Sequence, residues 1–370
     1  MSGAKIRILA DDLTGALDTA APFASVRAPV PVVWWPGRPD DDGDLALDAE
    51  TRDLAATAAA RRVENLAPGL RGAAIAFKKL DSLLRGHPFV ELAACLRGGG
   101  FASAVVTPAF PAQDRITRCG RQLVRDTAKG DWRPIGPDLA VGLIQAGLGC
   151  EAQGPAPLGE GPQVVLCDAE SEADLARIVE RGALLPQPVL WCGSAGLARA
   201  IAAPTVASRH TVLARPLLIL IGSTHPRTRS QVARLREHHI AVLAWDGAEA
   251  TLTADDWGIR LEAEGLAVVA LDLARETPVA TARLALERLV DRVAGGASVP
   301  GTVIVSGGET LMILVHTLGT SSLLVVGELM PGLPRSVMQG GAWSGTTVVS
   351  KAGGFGAPDA LLQLIGASDA

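Results

Sequence analysis

The chain has no tyrosine, and its seven tryptophans and six phenylalanines amount to only 4 % of 370 residues. Platforms that stack single-stranded nucleic acid need several exposed rings, so this scarcity argues against that function. An excess of positive charge is also lacking: 34 Lys and Arg against 39 Asp and Glu leave a formal charge of −5. That balance gives no long-range attraction to nucleic acid or to an anionic membrane, so neither is an expected partner. Any anionic ligand must be recognised by local Arg, Lys and backbone amides. The cysteines, Cys95, Cys119, Cys150, Cys167 and Cys192, are odd in number and form no CxxC. They predict a reduced, cytoplasmic protein in which they are mostly buried as small hydrophobes. No signal peptide is expected, because Met1 to Arg7 leads straight into a strand followed at once by acids. A long apolar run is missing too. The most apolar region, Val303 to Leu333, is broken by Gly307, Gly308, Glu309, His316, Gly327 and Glu328, short of the roughly 20 residues a span requires. It reads as strand, helix, strand. HExxH, GxSxG, GxxxxGK[ST] and a strand-borne GxGxxG are absent, which weakens zinc, serine-hydrolase and standard nucleotide-loop readings.

What is present is a repeated alternation of short apolar strands and helices. At roughly 100 to 200 residues per domain the length suggests two domains. A break near Pro204 to Pro216 divides the chain into 1–208 and 215–370. The expected class is α/β: two α/β domains with mainly parallel sheets facing an interdomain cleft.

The first half is organised around Ile6 to Ala21, where a strand runs into Asp11 and Asp12 and then a small-residue helix beginning near Ala16. Carboxyl ends of strands in open α/β sheets are where ligands sit. Asp12 or Thr14 serves equally well as a helix cap, and the local pattern does not separate the two readings. The acidic run Asp40 to Asp42 is read as a solvated loop, since its spacing misses the calcium-loop pattern. Residues 50–65 have helix composition with a charged face. Residues 78–88, KKLDSLLRGHP, crowd Lys79, Asp81, Ser82 and Arg85 into a strand-to-loop junction. This is either a solvated turn or an anion clamp, with Arg85 as a planar fork and Lys79 as a point charge. Residues 102–117 repeat the form, with Pro108 and Pro111 fixing a turn around Phe110 ahead of Arg115 and Thr117. Residues 145–162 are a Gly/Pro-rich loop, and Gly193 to Gly196 read as a tight strand-to-helix connection.

In the second half a strand precedes Gly222, Ser223 and Thr224, and a helix opens at Pro226. Residues 281–294 have amphipathic helical spacing. Residues 302–318 form a β-branched strand, a turn of Gly307, Gly308, Glu309 and Thr310, and an apolar helix; residues 346–365 repeat the device with Lys351, Gly353, Gly354 and Gly356. Amides in a glycine turn at a helix amino terminus cradle phosphate oxygens. Two such turns plus Ser223 point to a nucleotide phosphate site.

The segments ADDLTGALD, KKLDSLLRG, TPAFPAQDRIT, GSTHPRTRSQ, SGGET, GELMPGLPRS and KAGGFGAPDAL occur in this order, and together the chain resembles the four-carbon acid sugar kinase family over nearly its whole length. The resemblance implies an N-terminal domain for threonate, erythronate or 3-oxo-tetronate and a C-terminal domain for ATP, with Mg2+ riding mainly on the nucleotide. It implies Asp12 and Lys79 as catalytic groups and Asp11, Asp81, Ser82, Arg85, Phe110 and Arg115 around the sugar acid. Ser223, Gly307, Gly308, Thr310, Lys351, Gly353 and Gly354 would surround the ATP phosphates. Homo-oligomerisation is left open. The chain departs from the family at Asp114, where Gly is usual, at His87, where Asn is usual, and in a shorter stretch from about Gly120 to Pro162. These departures keep a non-catalytic sensor of sugar acid and ATP as the alternative. A PfkB-type kinase would carry a late GAGD, which is absent.

Overall fold

The computed structural model describes residues 5–25, 27–36, 43–126, 130–152, 162–203, 212–247, 254–274 and 276–368. The chain divides into two compact units, Met1–Ala24 with Val30–Thr205, and Ser25–Pro29 with Val206–Ala370. Each is an α/β unit. No helix of the described residues is long and apolar enough to cross a membrane. Asp40 to Asp42 lie outside the described residues.

The strands of the first unit are β1 (Ile6–Ala10), β2 (Val30–Trp34), β3 (Leu45–Asp48), β4 (Ile75–Lys79), β5 (Ser103–Thr107), β6 (Arg115–Arg118), β7 (Arg121–Arg125), β8 (Trp132–Pro134), β9 (Glu151–Ala152), β10 (Gln163–Leu166) and β11 (Val189–Gly193). Its helices are α1 (Leu13–Ala20), α2 (Ala56–Leu66), α3 (Pro88–Gly99), α4 (Leu139–Gln145), α5 (Glu172–Gly182) and α6 (Ala195–Ala202). A wholly parallel sheet runs β2-β3-β1-β4-β11-β5-β10-β9, and β6-β7-β8 form a small antiparallel sheet. Strands such as β1 and β5 are buried along their whole length, as parallel strands covered by helices on both faces must be. Leu9, Leu47, Leu92, Phe101 and Val106 belong to the core that results.

The second unit contains β12 (Leu217–Ile221), β13 (Leu243–Trp245), β14 (Leu266–Leu271), β15 (Thr302–Ser306), β16 (Ser322–Met330), β17 (Leu333–Gln339) and β18 (Thr347–Lys351). With them are α7 (Pro226–Glu237), α8 (Ala254–Glu264), α9 (Val279–Ala294), α10 (Gly308–Thr317) and α11 (Ala360–Gly366). The order β13-β14-β12-β15-β18 is parallel, and β17 and β16 extend it antiparallel.

Strand order decides where each unit can bind. In the first, the chain passes from β1 to β2 and β3 on one side and then crosses to β4 on the other. In the second, β13 and β14 lie on one side of β12 and β15 on the other. A crevice opens outside the carboxyl ends of the strands at such a reversal.

Three expectations are corrected. The first helix begins at Leu13 rather than near Ala16, because the Asp12 side chain accepts the Gly15 amide at 2.9 Å and closes the first turn early. Residues 50–55 are not helical; α2 starts at Ala56 and leaves Glu50 to Ala55 as a loop. Only Cys95 and Cys192 are buried, Cys119 being exposed and Cys150 and Cys167 intermediate. Burial pushes the Cys95 thiol up to about 12.

Lys78 and Lys79 end β4 and, by strand alternation, point to opposite faces. Lys78 meets Glu91 of α3 at 2.8 Å, both side chains 1 % exposed. Burial alone would lower the Lys78 pKa, and Glu91 overrides it and holds the ammonium charged. Replacing Glu91→Ala strands that charge in the core, and urea denaturation is expected to read a loss of about 3–5 kcal/mol. The double change Lys78→Met with Glu91→Leu is expected to recover most of it.

Candidate active site

The carboxyl ends of β1, β3 and β4 meet at the strand reversal of the first unit. Ala49 donates to the Ala10 carbonyl at 2.9 Å, and the amides of Thr51 and Arg52 donate to the Asp11 carbonyl at 3.1 and 3.2 Å. The loop after β3 is thereby laid against the loop after β1. Arg52, which the sequence reading passed over, becomes the centre of the cluster. Its Nε donates to Asp11 Oδ2 at 2.8 Å, its Nη1 donates to Asp12 Oδ2, and its Nη2 lies 3.5 Å from Asp81 Oδ1. Burial alone would lower its pKa, but Asp12, Asp11 and Asp81 raise it, so the cation is locked. A strand ending in LALD followed by AETR is the available signal, with a base at the same kind of strand end as Asp11.

Asp12 caps α1 and also belongs to this charge cluster, so the cap does not exclude a further role. Oδ1 accepts the Gly15 amide and Oδ2 pairs with Arg52. Burial raises the Asp12 pKa against the pull of Arg52, with Asp11 adding to the rise. Lys79 is 5 % exposed and, among the described residues, its ammonium makes no hydrogen bond or ion pair. It reaches across Gly15, where an added Cβ would sit 2.6 Å from Asp12 Oδ1 and 2.9 Å from Lys79 Nζ. Glycine suits the position because the Asp12 carboxylate and the Lys79 ammonium both press on that spot.

Arg85 does not stand open as an anion clamp. Its Nε and Nη2 donate to both oxygens of Asp81 at 2.9 and 2.8 Å, and Asp81 Oδ2 also accepts the amides of Leu83 and Arg85. Asp81 is held far below the usual carboxylate range: burial would raise it, and Arg85 and Arg52 outweigh that. The pair shapes the loop after β4. Ser82 is buried, and its carbonyl accepts from Gln122 at 2.8 Å. Phe110 is 1 % exposed and lies against Gly196, supporting the turn from the core side. Arg115, which opens β6, is 4 % exposed; burial raises the pKa of Asp18 in α1 well above the usual carboxylate range, against the pull of Lys79 and, more weakly, Arg115.

The two departures from the family pattern have local explanations. Asp114 takes φ 58 and ψ 42, a left-handed conformation suited to Gly and tolerated by Asp. His87 caps α3, and its Nε2 donates to the Leu54 carbonyl at 2.6 Å, tying down the loop that carries Arg52.

In the second unit the reversal gathers the ends of β12, β15 and β18. The amides of Gly222 and Ser223 donate to the Ser306 carbonyl at 3.2 and 3.1 Å. An added Cβ at Gly222 or Gly307 would strike Thr310 Oγ1, and one at Gly353 would strike Ser223 Oγ. Ser223, Gly307, Thr310 and Gly353 are therefore brought together, with Gly308 opening α10 and Gly354 following Gly353. Thr228 Oγ1 donates to the Gly353 carbonyl at 2.8 Å, and Gln231 Nε2 to the carbonyls of Phe355 and Ala357 at 3.0 Å.

Three expected phosphate ligands play other parts here. The Gly307 amide donates to the Lys351 carbonyl at 2.9 Å, so this glycine serves through its φ of 121 rather than its N–H. Thr310 is 1 % exposed, its hydroxyl packed under the turn. Lys351 is also 1 % exposed and donates to the carbonyls of Ala352 and Phe355 at 3.2 and 3.3 Å. Burial, then Arg227, lowers its pKa to about 7. A cavity of about 820 Å³ beside β10 and α5, lined by Val165, Cys167, Ile178, Arg181 and Leu185, shares no residue with either cluster.

Residues 6–135 and 141–201 match the family described as "Sugar-binding N-terminal domain", and residues 218–361 match "Nucleotide-binding C-terminal domain". The chain is 33 % identical to the D-threonate kinase of Bordetella bronchiseptica, over 98 % of this chain and 97 % of that protein. It is 32 % identical to the D-threonate kinase of Cupriavidus necator, over 96 % and 95 %, and 25 % identical to the D-erythronate kinase of Heliobacterium modesticaldum, over 97 % and 95 %. A solved structure from Salmonella typhimurium LT2 shares the fold, with a TM-score of 0.70 at 22 % identity over 96 % of this chain and 97 % of that one. With both halves matched and these relatives aligned almost end to end, the chain belongs to the four-carbon acid sugar kinase family.

Proposed function

We propose that the protein is an ATP-dependent kinase that phosphorylates the terminal hydroxyl of a four-carbon sugar acid of the threonate, erythronate or 3-oxo-tetronate type. The observation that carries this reading is the pairing of Asp12, its pKa raised by burial, with the unpartnered Lys79 ammonium across Gly15. A carboxylate tuned upward beside a cation suits removal of a hydroxyl proton while charge builds on a transferring phosphoryl.

Arg52 fixes the orientation of Asp12 while leaving its 23 %-exposed side chain reachable. Asp12 takes the hydroxyl proton, and Lys79 neutralises charge on the phosphoryl oxygens. The Arg85 fork is closed on Asp81, and the role of holding the substrate carboxylate is assigned to Arg115, a buried cation whose charge reaches Asp18. The departures at Asp114 and His87 occupy backbone and cap positions, and neither removes a group this chemistry needs. That favours catalysis over a sensor role.

For the nucleotide, the residues present fit. Helix geometry leaves the amides of Gly308, Glu309 and Thr310 without intrahelical acceptors, beside Ser223 and Gly353. Magnesium supplied with ATP neutralises phosphate charge. Such a cation keeps most of its waters and nucleotide ligands. Lys351 and Gln231 hold the glycine turn in shape.

Three outcomes test this. Asn at position 12 still caps α1, so Asp12→Asn is expected to stay folded by circular dichroism yet lose about 100-fold or more in kcat; near-normal turnover overturns the assignment. In the wild type the acid limb of kcat is expected above the ordinary Asp value of about 4, because a raised pKa keeps the base protonated over a wider acid range. Gly353→Ala forces a methyl onto Ser223 and is expected to raise KM for ATP about tenfold or more, with KM for the sugar acid little changed.

A further inference from the structure

Three buried oxygens in and just before α1 make no hydrogen bond: Asp11 Oδ1, Thr14 Oγ1 and Asp18 Oδ1. Their side chains are 4, 6 and 5 % exposed. Thr14 and Asp18 stand four residues apart, the spacing that puts side chains on one helix face, and Asp11 lies in the extended residues just before α1. The charges that act on Asp18 are Lys79, Asp12, Arg115 and Arg52, so its carboxyl faces the same cluster as the proposed base. Asp18 itself has no hydrogen-bond or ion-pair partner among the described residues. An unsatisfied buried polar group costs stability, and a row of them is retained where a ligand completes it.

We propose that Asp18, with Thr14, recognises the inner hydroxyl groups of a polyhydroxy acid and so sets the choice of substrate. This rests on the kinase reading above. Two polar side chains about one helical turn apart, with Asp11 just before the helix and a cation nearby, match a short chain bearing hydroxyls along its length and a carboxylate at one end. A hydroxyl can donate to the Asp18 carboxylate or, where burial keeps that group protonated, accept from it; either way the bond needs the inner hydroxyl. An acid with only a terminal hydroxyl leaves the row unsatisfied and is rejected, since sites built to bond a hydroxyl discriminate strongly against analogues without it.

The full-length protein is assayed with D-threonate and with 4-hydroxybutanoate, which keeps the carboxylate and terminal hydroxyl but lacks the inner ones. The readouts are kcat/KM for each and the shift in melting temperature each produces. For the wild type, D-threonate is expected to be preferred at least a hundredfold and to raise the melting temperature, 4-hydroxybutanoate far less. In Asp18→Ala the preference ratio is expected to fall about tenfold or more, while the unliganded melting temperature stays level or rises because an unsatisfied carboxyl is gone. Asp18→Asn, which keeps the shape, is expected to fall between the two. A ratio unchanged in both variants, or a wild type whose melting temperature D-threonate does not move, overturns the proposal. Ligand discrimination in the melting shift without any ATP-driven turnover would sink the kinase reading while supporting Asp18.

Discussion

The arrangement of the first unit depends on one guanidinium shared among carboxylates. Arg52 contacts Asp11, Asp12 and Asp81, each from a loop at the end of β1 or β4. Without that cation, several aspartates would crowd a poorly solvated spot, where like charges repel strongly and burial disfavours every one of them. With it, Asp81 is pulled down and locked to Arg85, while Asp12 stays raised because burial outweighs the attraction. Arg52 pulls both carboxyls down, and they part because burial prevails at Asp12 while the Arg85 hydrogen bonds prevail at Asp81.

The supports of Arg52 lie outside the charge cluster. Its backbone is hydrogen-bonded to Asp11, and Gly86 packs against it so closely that a Cβ there would meet its Cα at 3.4 Å. His87, next in the chain, secures Leu54. The loops after β1, β3 and β4 thus brace one another, as pre-organised sites require. The second unit uses a different device. Glycines allow the ends of β12, β15 and β18 to approach within contact, and a buried lysine and glutamine tie off carbonyls of the last turn. One unit is built on paired charges, the other on close backbone contact.

Much of this was legible in the chain. Apolar strands, small-residue turns and Pro-led helices mark the α/β class, because local periodicity is set by whether a segment is buried on one face or two. Asp11, Asp12 and Lys79 are legible as candidates because polar residues at the ends of buried strands stand out. Arg52 was missed because ETRDL reads as helix composition, and only the pairing of β3 beside β1 turns it toward residues some 41 positions earlier. Arg85, Gly307 and Lys351 stand out in the sequence as candidates, but not the direction their hydrogen bonds take.

By itself the sequence determined the alternating architecture, the strand ends that carry aspartate and lysine, and the glycine turns of the second half. Each follows from short-range preferences that neighbouring residues impose. Tertiary structure alone decided which groups are spent on one another and which remain available: Arg85 is closed on Asp81 and Lys351 on its own loop, while Lys79 and Asp18 are buried without partners. The physical reason is that hydrogen-bond satisfaction depends on which strand lies beside which and on the side chain's direction, and neither is encoded at short range.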